Sequence, residues 1–200
     1  MTSVCNTVTE KNKTQATTPT VTHEQSEIIR LVEKAADGDF EAFGEIYSIY
    51  LDRIYRYVFY QVRDKMTAED ITEEVFIKAW KAIKSCKGRA KTFSAWLYRI
   101  AHNHLVNTLR RTRKHASIEM EALIEVANPE SEAEAELAKQ ELLEVMTCLP
   151  QNQRQVIILK FIEGLDNREI GQVMGKKEGA IRVLQMRALS RLRQELVNEN

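Results

Sequence analysis

The tripeptide His102-Asn103-His104 is where this chain most invites a metal or nuclease reading. On a helix, residues two apart point about 200° away from each other, so the two imidazoles cannot grip one ion. No compact cluster of carboxylates supplies further ligands, and Cys5, Cys86 and Cys148 are lone, widely spaced thiols with no C-x-x-C pair. Neither a Gly-rich phosphate loop nor a G-x-S-x-G nucleophile elbow is present. The sequence therefore predicts no catalytic residue, no metal site and no cofactor. His104 falls within the apolar arc of its helix and is read as a core histidine.

The surrounding stretch, TFSAWLYRIAHNHLVNTLRRTRK from Thr92 to Lys114, suits binding better than catalysis. Wound at 100° per residue, it puts Phe93, Trp96, Leu97, Ile100 and Leu105 on an apolar face. The other side carries Arg99, His102, Asn103, Val106 and Arg110, with Tyr98 at the margin and Arg111, Arg113 and Lys114 at the basic end. Donors, a stacking surface and phosphate partners on one face suit nucleic acid. The plainer alternative is a solvated face whose cations complement the helix C-terminal dipole.

Two other surfaces stand out. The segment TAEDITEEVFIKAW buries Ile71, Val75, Phe76, Ala79, Trp80 and Ile83 on one side and presents Asp70, Glu73, Glu74, Ile77, Lys81 and Lys84 on the other. An apolar Ile77 ringed by charge has the form of a protein contact, although single exposed apolar residues are also common. The segment EGLDNREIGQVMGKKEGAIRVLQMRALSRLR has the dimensions of a helix-turn-helix, with Gly175 in the turn. Its second helix turns Ile181, Leu184, Ala188 and Leu192 inward. Gly179, Arg182, Val183, Met186, Arg187 and Ser190 face outward, behind Lys176 and Lys177. Arginines at that place can hold phosphates or read guanine edges, and small Gly171 permits close approach of the second helix.

The elements that must position these faces are helical. Only 7 glycines and 3 prolines interrupt the 200 residues, and helical periodicity runs from Glu27 onward. Helices are predicted near 27–37, 39–63, 67–84, 92–113, 132–148, 151–163, 167–174 and 178–196. Thr67 with Asp70 and Asp166 with Glu169 mark two helix starts. The predicted fold is all-α, with two small helical domains on one tether: a disordered tail over 1–26, a first domain over 27–115, an acidic linker over 116–131 and a second domain over 132–200.

Charge follows the same division. The net charge is zero, yet residues 27–115 hold 17 basic and 12 acidic groups, 143–200 hold 9 and 7, and 116–142 hold 1 and 8. An acidic segment thus cancels two basic blocks, and the overall sum does not exclude nucleic acid. No apolar run approaches the ~18 residues needed to cross a bilayer, and the polar start lacks a secretory apolar core. The expected location is the cytoplasm.

In order and spacing these pieces resemble the extracytoplasmic-function sigma factors of bacterial RNA polymerase, compact members of the sigma-70 family, over about residues 27–197. DFEAFGEIYSIYLDRIYRYVFYQVRD, AEDITEEVFIKAW and TFSAWLYRIAHNHLVNTLRR resemble successive parts of sigma region 2. LPQNQRQVIILKFIEGLDNREIGQVMGKKEGAIRVLQMRALSRLR resembles region 4. The resemblance implies a core-polymerase contact through Asp70, Glu73, Glu74, Ile77 and Lys81 on the clamp helices of the beta-prime subunit, with the beta flap as a second polymerase contact. It implies −10 element binding through Lys87, Arg89, Lys91, Tyr98, Arg99, His102, Asn103 and Arg110, the loop SCKGRAK included. It implies −35 element binding through Lys176, Lys177, Gly179, Arg182, Val183, Met186 and Arg187. The acidic linker would thread polymerase channels later used by RNA, and an anti-sigma factor would be a natural partner. Asp166, Gly171 and Lys177 stand where the family usually has Ser, Ala and Ser. Two rivals remain at this stage: a stand-alone homodimeric helix-turn-helix regulator, and an adaptor that binds polymerase without reading DNA.

Overall fold

A computed structural model describes residues 23–115 and 146–198, and every regular element among them is helical. The acidic linker over 116–131, residues 132–145 of the helix predicted over 132–148 and residues 1–22 of the predicted tail lie outside the described residues; the end of that predicted helix, Met146–Cys148, is a 3₁₀ turn. Four longer helices come first: α1 (His23–Ala36), α2 (Phe40–Val62), α3 (Lys65–Ala82) and α4 (Phe93–His115). Three follow: α5 (Gln151–Ile157), α6 (Asn167–Met174) and α7 (Glu178–Asn198). The first helix begins at His23, upstream of the expected start at Glu27, within what was read as tail.

α2 is the strut of the first unit. Phe43, Ile46, Tyr50, Ile54, Tyr57 and Val58 recur at three- and four-residue spacing, all are buried, and α1, α3 and α4 pack around it. Asp39 starts α2 by accepting the Ala42 N–H at 3.0 Å. Arg63 ends it in the left-handed conformation (φ 59°), its N–H returning to the Phe59 carbonyl. The next residue, Asp64, then accepts the Thr67 N–H at 2.7 Å and starts α3. That corrects the expected start: Thr67 donates to the cap and does not form it.

α3 stops at Ala82, earlier than expected, because the loop SCKGRAK is wound into two 3₁₀ turns, Ile83–Cys86 and Ala90–Thr92. Gly88 lies between them with φ 71°, a conformation that costs glycine little. In the second unit Arg154 holds the entry turn, its guanidinium donating to the Met146 and Leu149 carbonyls at 3.0 and 3.3 Å. The helix predicted to run unbroken to residue 163 instead widens into a π-helix over Ile158–Ile162, with the Glu163 N–H reaching back to the Ile158 carbonyl at 3.0 Å. The two units pack directly on each other, α6 against α4 and α5 against α2.

Candidate nucleic-acid interface

The helix-turn-helix is held by backbone geometry. Asp166 accepts the Glu169 N–H at 2.7 Å while the Glu169 carboxylate accepts the Asp166 N–H at 2.8 Å, the expected reciprocal cap. Gly175 ends α6 with φ 64°, and the Lys176 N–H donates to the Gly171 carbonyl at 2.9 Å. A Cβ on Gly171 would lie 2.7 Å from the Lys176 carbonyl oxygen, so the close approach expected of this glycine is real, and it is an approach of the turn. Lys176, Lys177, Gly179, Arg182, Val183, Met186 and Arg187 are all exposed. Ile181 and Ala188 are buried, and Leu184 and Leu192 pack half-buried on the core. Arg182 is occupied by Glu178 one turn earlier, 2.5 Å away and solvent-exposed, a pair that costs little to break. Met186, with Ser190, joins two shallow clefts of about 420 and 430 Å³, the first bounded by Arg182, Leu189 and Arg193, the second by Arg187 and Arg191.

On α4 the inward face consists of Phe93, Leu97, Ala101 and Leu105, all almost fully buried, while Trp96 and Ile100 are only half-buried. Arg99, Asn103, Val106 and Arg110 are exposed, as are Lys87, Arg89 and Lys91 of the preceding loop. That loop is fastened to the end of α1 and the turn after it: the Gly88 N–H donates to Glu33 at 3.1 Å, and Lys87 pairs with Asp37 at 2.5 Å. A cleft of about 220 Å³ lies between Arg89, Trp96 and Arg99, and Gln172 of α6 lines it from the other unit.

Two aromatic expectations need revision. Tyr98, expected at the margin of the exposed face, is fully buried; its ring stands edge-on to Tyr57 at 5.6 Å, and its hydroxyl donates to Glu163 at 2.5 Å. Burial, with the Glu163 carboxylate adding to it, pushes the hydroxyl far above its ordinary pKa. His102 is half-buried, its Nδ1 3.3 Å from the Tyr57 hydroxyl. Burial, helped by nearby Lys176, holds its pKa below the ordinary histidine value. His104 sits at the rim of the core, its Nε2 3.1 Å from Glu74 and its Nδ1 2.6 Å from the Lys78 ammonium. The two histidines thus turn to different elements.

Asp70, Glu73, Glu74, Ile77 and Lys81 are exposed on α3, with Ile77 52% accessible. Glu74 is engaged: Lys78, 2.9 Å away, and His104 both hold it, and the Lys78 hydrogen bond leads in lowering its carboxyl pKa. Sequence reasoning missed two exposed aromatics of α2 that stand against α3. Phe40, 71% exposed, stands edge-on to Trp80 at 5.6 Å, and partly exposed Tyr47 stands on Phe76 at 4.8 Å. Trp80 lies one turn beyond Ile77 on α3, so the exposed Phe40 borders the same helix. The seven-residue spacing of Phe40 and Tyr47 was the available signal.

The contact between units was also missed. Glu163 has no exposed side-chain surface, and Arg53 reaches it twice, Nε to the carboxylate at 3.5 Å and Nη2 to the main-chain carbonyl at 3.1 Å. Arg56 stands 3.7 Å from its other carboxylate oxygen.

Residues 46–115 match the family model described as Sigma-70 region 2, and residues 139–192 match Sigma-70, region 4. The chain is 34% identical over 178 residues to the ECF RNA polymerase sigma factor BldN of Streptomyces coelicolor, covering 87% of this chain and 67% of that one. It is 31% identical over 190 residues to the ECF RNA polymerase sigma factor SigD of Mycobacterium tuberculosis, covering 90% and 88%. The solved structure of CnrH in complex with the cytosolic domain of CnrY superposes with a TM-score of 0.68 at 22% identity, over 87% of this chain and 99% of that one. At that identity the structure speaks for the fold alone. The two regions in order, with relatives above 30% identity along most of this chain, place the protein in the extracytoplasmic-function sigma factors of the sigma-70 family.

Proposed function

We propose that this sigma factor recruits core RNA polymerase through the α3 face and directs it to promoters by reading two DNA elements with two units. Asp70, Glu73, Glu74, Ile77 and Lys81 make the polymerase contact on the beta-prime clamp helices, with Phe40 bordering the same helix. Lys87, Arg89 and Lys91 of the loop, with Arg99, His102, Asn103 and Arg110 of α4, take the −10 element as single strand. Lys176, Lys177, Gly179, Arg182, Val183, Met186 and Arg187 enter the major groove at the −35 element. The first unit spans 27–115 and the second 132–200, joined by the acidic linker over 116–131. The protein acts in the cytoplasm, performs no covalent chemistry itself, and opens the duplex with binding energy from captured bases. An anti-sigma factor is its natural inhibitor.

The observation that carries this reading is the exposed cationic start of α7 on a turn fixed by Gly171 and Gly175, standing in one chain with an exposed Ile77 in a charged face. A stand-alone duplex-binding regulator has no use for the second feature. The test is run-off transcription with purified core polymerase on a genomic fragment library, comparing wild type with Ile77→Glu and Arg182→Ala. Discrete start sites are expected from the wild type. Ile77→Glu should remove them with loss of polymerase binding. Arg182→Ala should weaken −35 use by ~1–3 kcal/mol while polymerase binding stays intact. Inactive core polymerase together with specific duplex retention by the protein alone would favour the homodimeric regulator.

A further inference from the structure

The loop between α3 and α4 carries Lys87, Arg89 and Lys91, and its apex has no packing of its own. Cys86 and Ala90 are buried on either side of the apex, and α1 packs against both 3₁₀ turns. Between these anchors Lys87, Gly88 and Arg89 are exposed, and a Cβ on Gly88 would meet nothing within 4 Å. A glycine at φ 71° turns the chain at little cost, and for the same reason it does not keep the chain there. Within the loop the Arg89 N–H returns to the Cys86 carbonyl at 2.8 Å and the Lys87 N–H to the Lys84 carbonyl at 3.3 Å. The Gly88 N–H, at the apex itself, has its acceptor outside the loop.

That acceptor is Glu33 of α1, whose two carboxylate oxygens stand 3.1 and 3.4 Å from the Gly88 nitrogen. Asp37, in the turn after α1, pairs with Lys87. The two ties are unequal. The side chains of the ion pair are 64% and 62% exposed, and a pair of that kind contributes little. Glu33 is half-buried, and a hydrogen bond from a backbone N–H to a charged carboxylate is among the stronger kinds. What Glu33 holds is the orientation of the peptide at Gly88, and with it the place of the next residue, Arg89, which lines one cleft with Trp96 and Arg99. Rotation about Gly88 would carry Arg89 out of that wall.

We propose that Glu33 is a positioning residue for −10 recognition: by accepting the Gly88 N–H it fixes the apex of the loop and sets Arg89 beside Trp96 and Arg99, ready for the single strand. α1, which supplies none of the residues assigned to DNA, thereby takes part in reading it. This rests on the sigma factor reading for its consequence, though not for its geometry. The sign of the effect separates positioning from plain electrostatics. Glu33 is an anion beside a nucleic-acid surface, so on charge alone its removal should tighten binding of the strand. Positioning demands the reverse, and it demands that glutamine, which keeps an acceptor oxygen without the charge, stay close to the wild type.

The experiment uses the full chain bound to core polymerase. The probe is a fluorescent single-stranded oligonucleotide carrying the −10 region of a promoter mapped by run-off transcription, with a strand of scrambled sequence as its control. Hydrogen exchange read by mass spectrometry follows the loop peptide in the free chain, and circular dichroism follows helix content. Glu33→Ala should speed exchange in the loop and weaken binding of the −10 strand about tenfold, as loss of one charge-assisted hydrogen bond would. Capture of core polymerase and binding of a duplex carrying the −35 region should not change. Glu33→Gln should stay within about threefold of the wild type, and Asp37→Ala should not weaken strand binding. Undiminished or tighter strand binding by Glu33→Ala, an equal loss in Glu33→Gln or Asp37→Ala, or a matching loss of polymerase capture would each overturn the assignment. If Glu33→Ala loses helix, Glu33→Met, of similar length and without an acceptor, replaces it under the same criteria. Absence of promoter-specific transcripts from the wild type would sink the sigma reading and the −10 role with it, and loop exchange in the variants would still decide whether Glu33 holds the apex.

Discussion

At the scale of single residues, His102 reports on its surroundings with a sign that can be worked out. Burial comes first, then Lys176, and together they lower its folded pKa below the ordinary histidine value. Between those two values the unfolded chain binds more protons, so His102 contributes its stability above about pH 6.5 and loses it as pH falls towards the folded pKa. Thermal unfolding midpoints should accordingly fall on acidification through that window, and His102→Gln should flatten the slope. His104 is shifted in the same direction, with burial leading and Glu74 opposing, so some slope should remain in the variant. A second residue-scale expectation concerns Phe40. With 71% of its surface exposed against Trp80, Phe40→Ser should cost under ~1 kcal/mol of stability. Pull-down with core polymerase should nevertheless show a loss comparable to that of Ile77→Glu, and undiminished capture would confine the contact to α3.

At the scale of elements, what was legible in the sequence depended on how local its cause was. The cap at Asp166 and Glu169 is closed by residues three apart, and it stands as read. Asp166→Ala should lower stability by about 1 kcal/mol, measured by urea unfolding. Thr67 and Asp64 are both good cap residues, and the choice between them was made by Arg63, whose left-handed φ of 59° ends α2 and frees the chain to restart at once. Nothing in the residue types announces that φ. The π-helix was equally silent, since ILKFI is an ordinary helical sequence. Gly171 lay between these extremes: its smallness was readable, but its neighbour was not. Since a Cβ would meet the Lys176 carbonyl at 2.7 Å, Gly171→Ala should cost ~1–3 kcal/mol in displaced backbone against about 1 kcal/mol gained in helix propensity. A net loss near 1 kcal/mol is expected by the same urea measurement, and a stabilised variant would show that the turn yields freely.

At the scale of the whole molecule, periodicity could not have found the contact that joins the units. Tyr98 was placed at an exposed margin because its helical angle puts it there. It is buried because its ring packs on Tyr57 and Glu163, 65 residues away, covers its hydroxyl, and Arg53 meets the same carboxylate across 110 residues. Long-range ionic contacts leave no period in a sequence, whereas the apolar stripes that build each unit do. The consequence is a difference in how the chain should melt. Two small helical units on a tether would unfold independently if their interface were loose, each with its own calorimetric transition. Here the interface includes a fully buried carboxylate and a fully buried tyrosine, so loss of one unit strands charged or polar groups of the other. Scanning calorimetry of the wild type should therefore give a single transition. Glu163→Arg should split it in two, the larger arising from the unit built on α2 and the smaller from the helix-turn-helix unit. A wild-type trace already split would mean that the buried pair contributes docking register but no cooperativity. An unsplit variant would mean that apolar packing of α6 on α4 couples the units without the carboxylate.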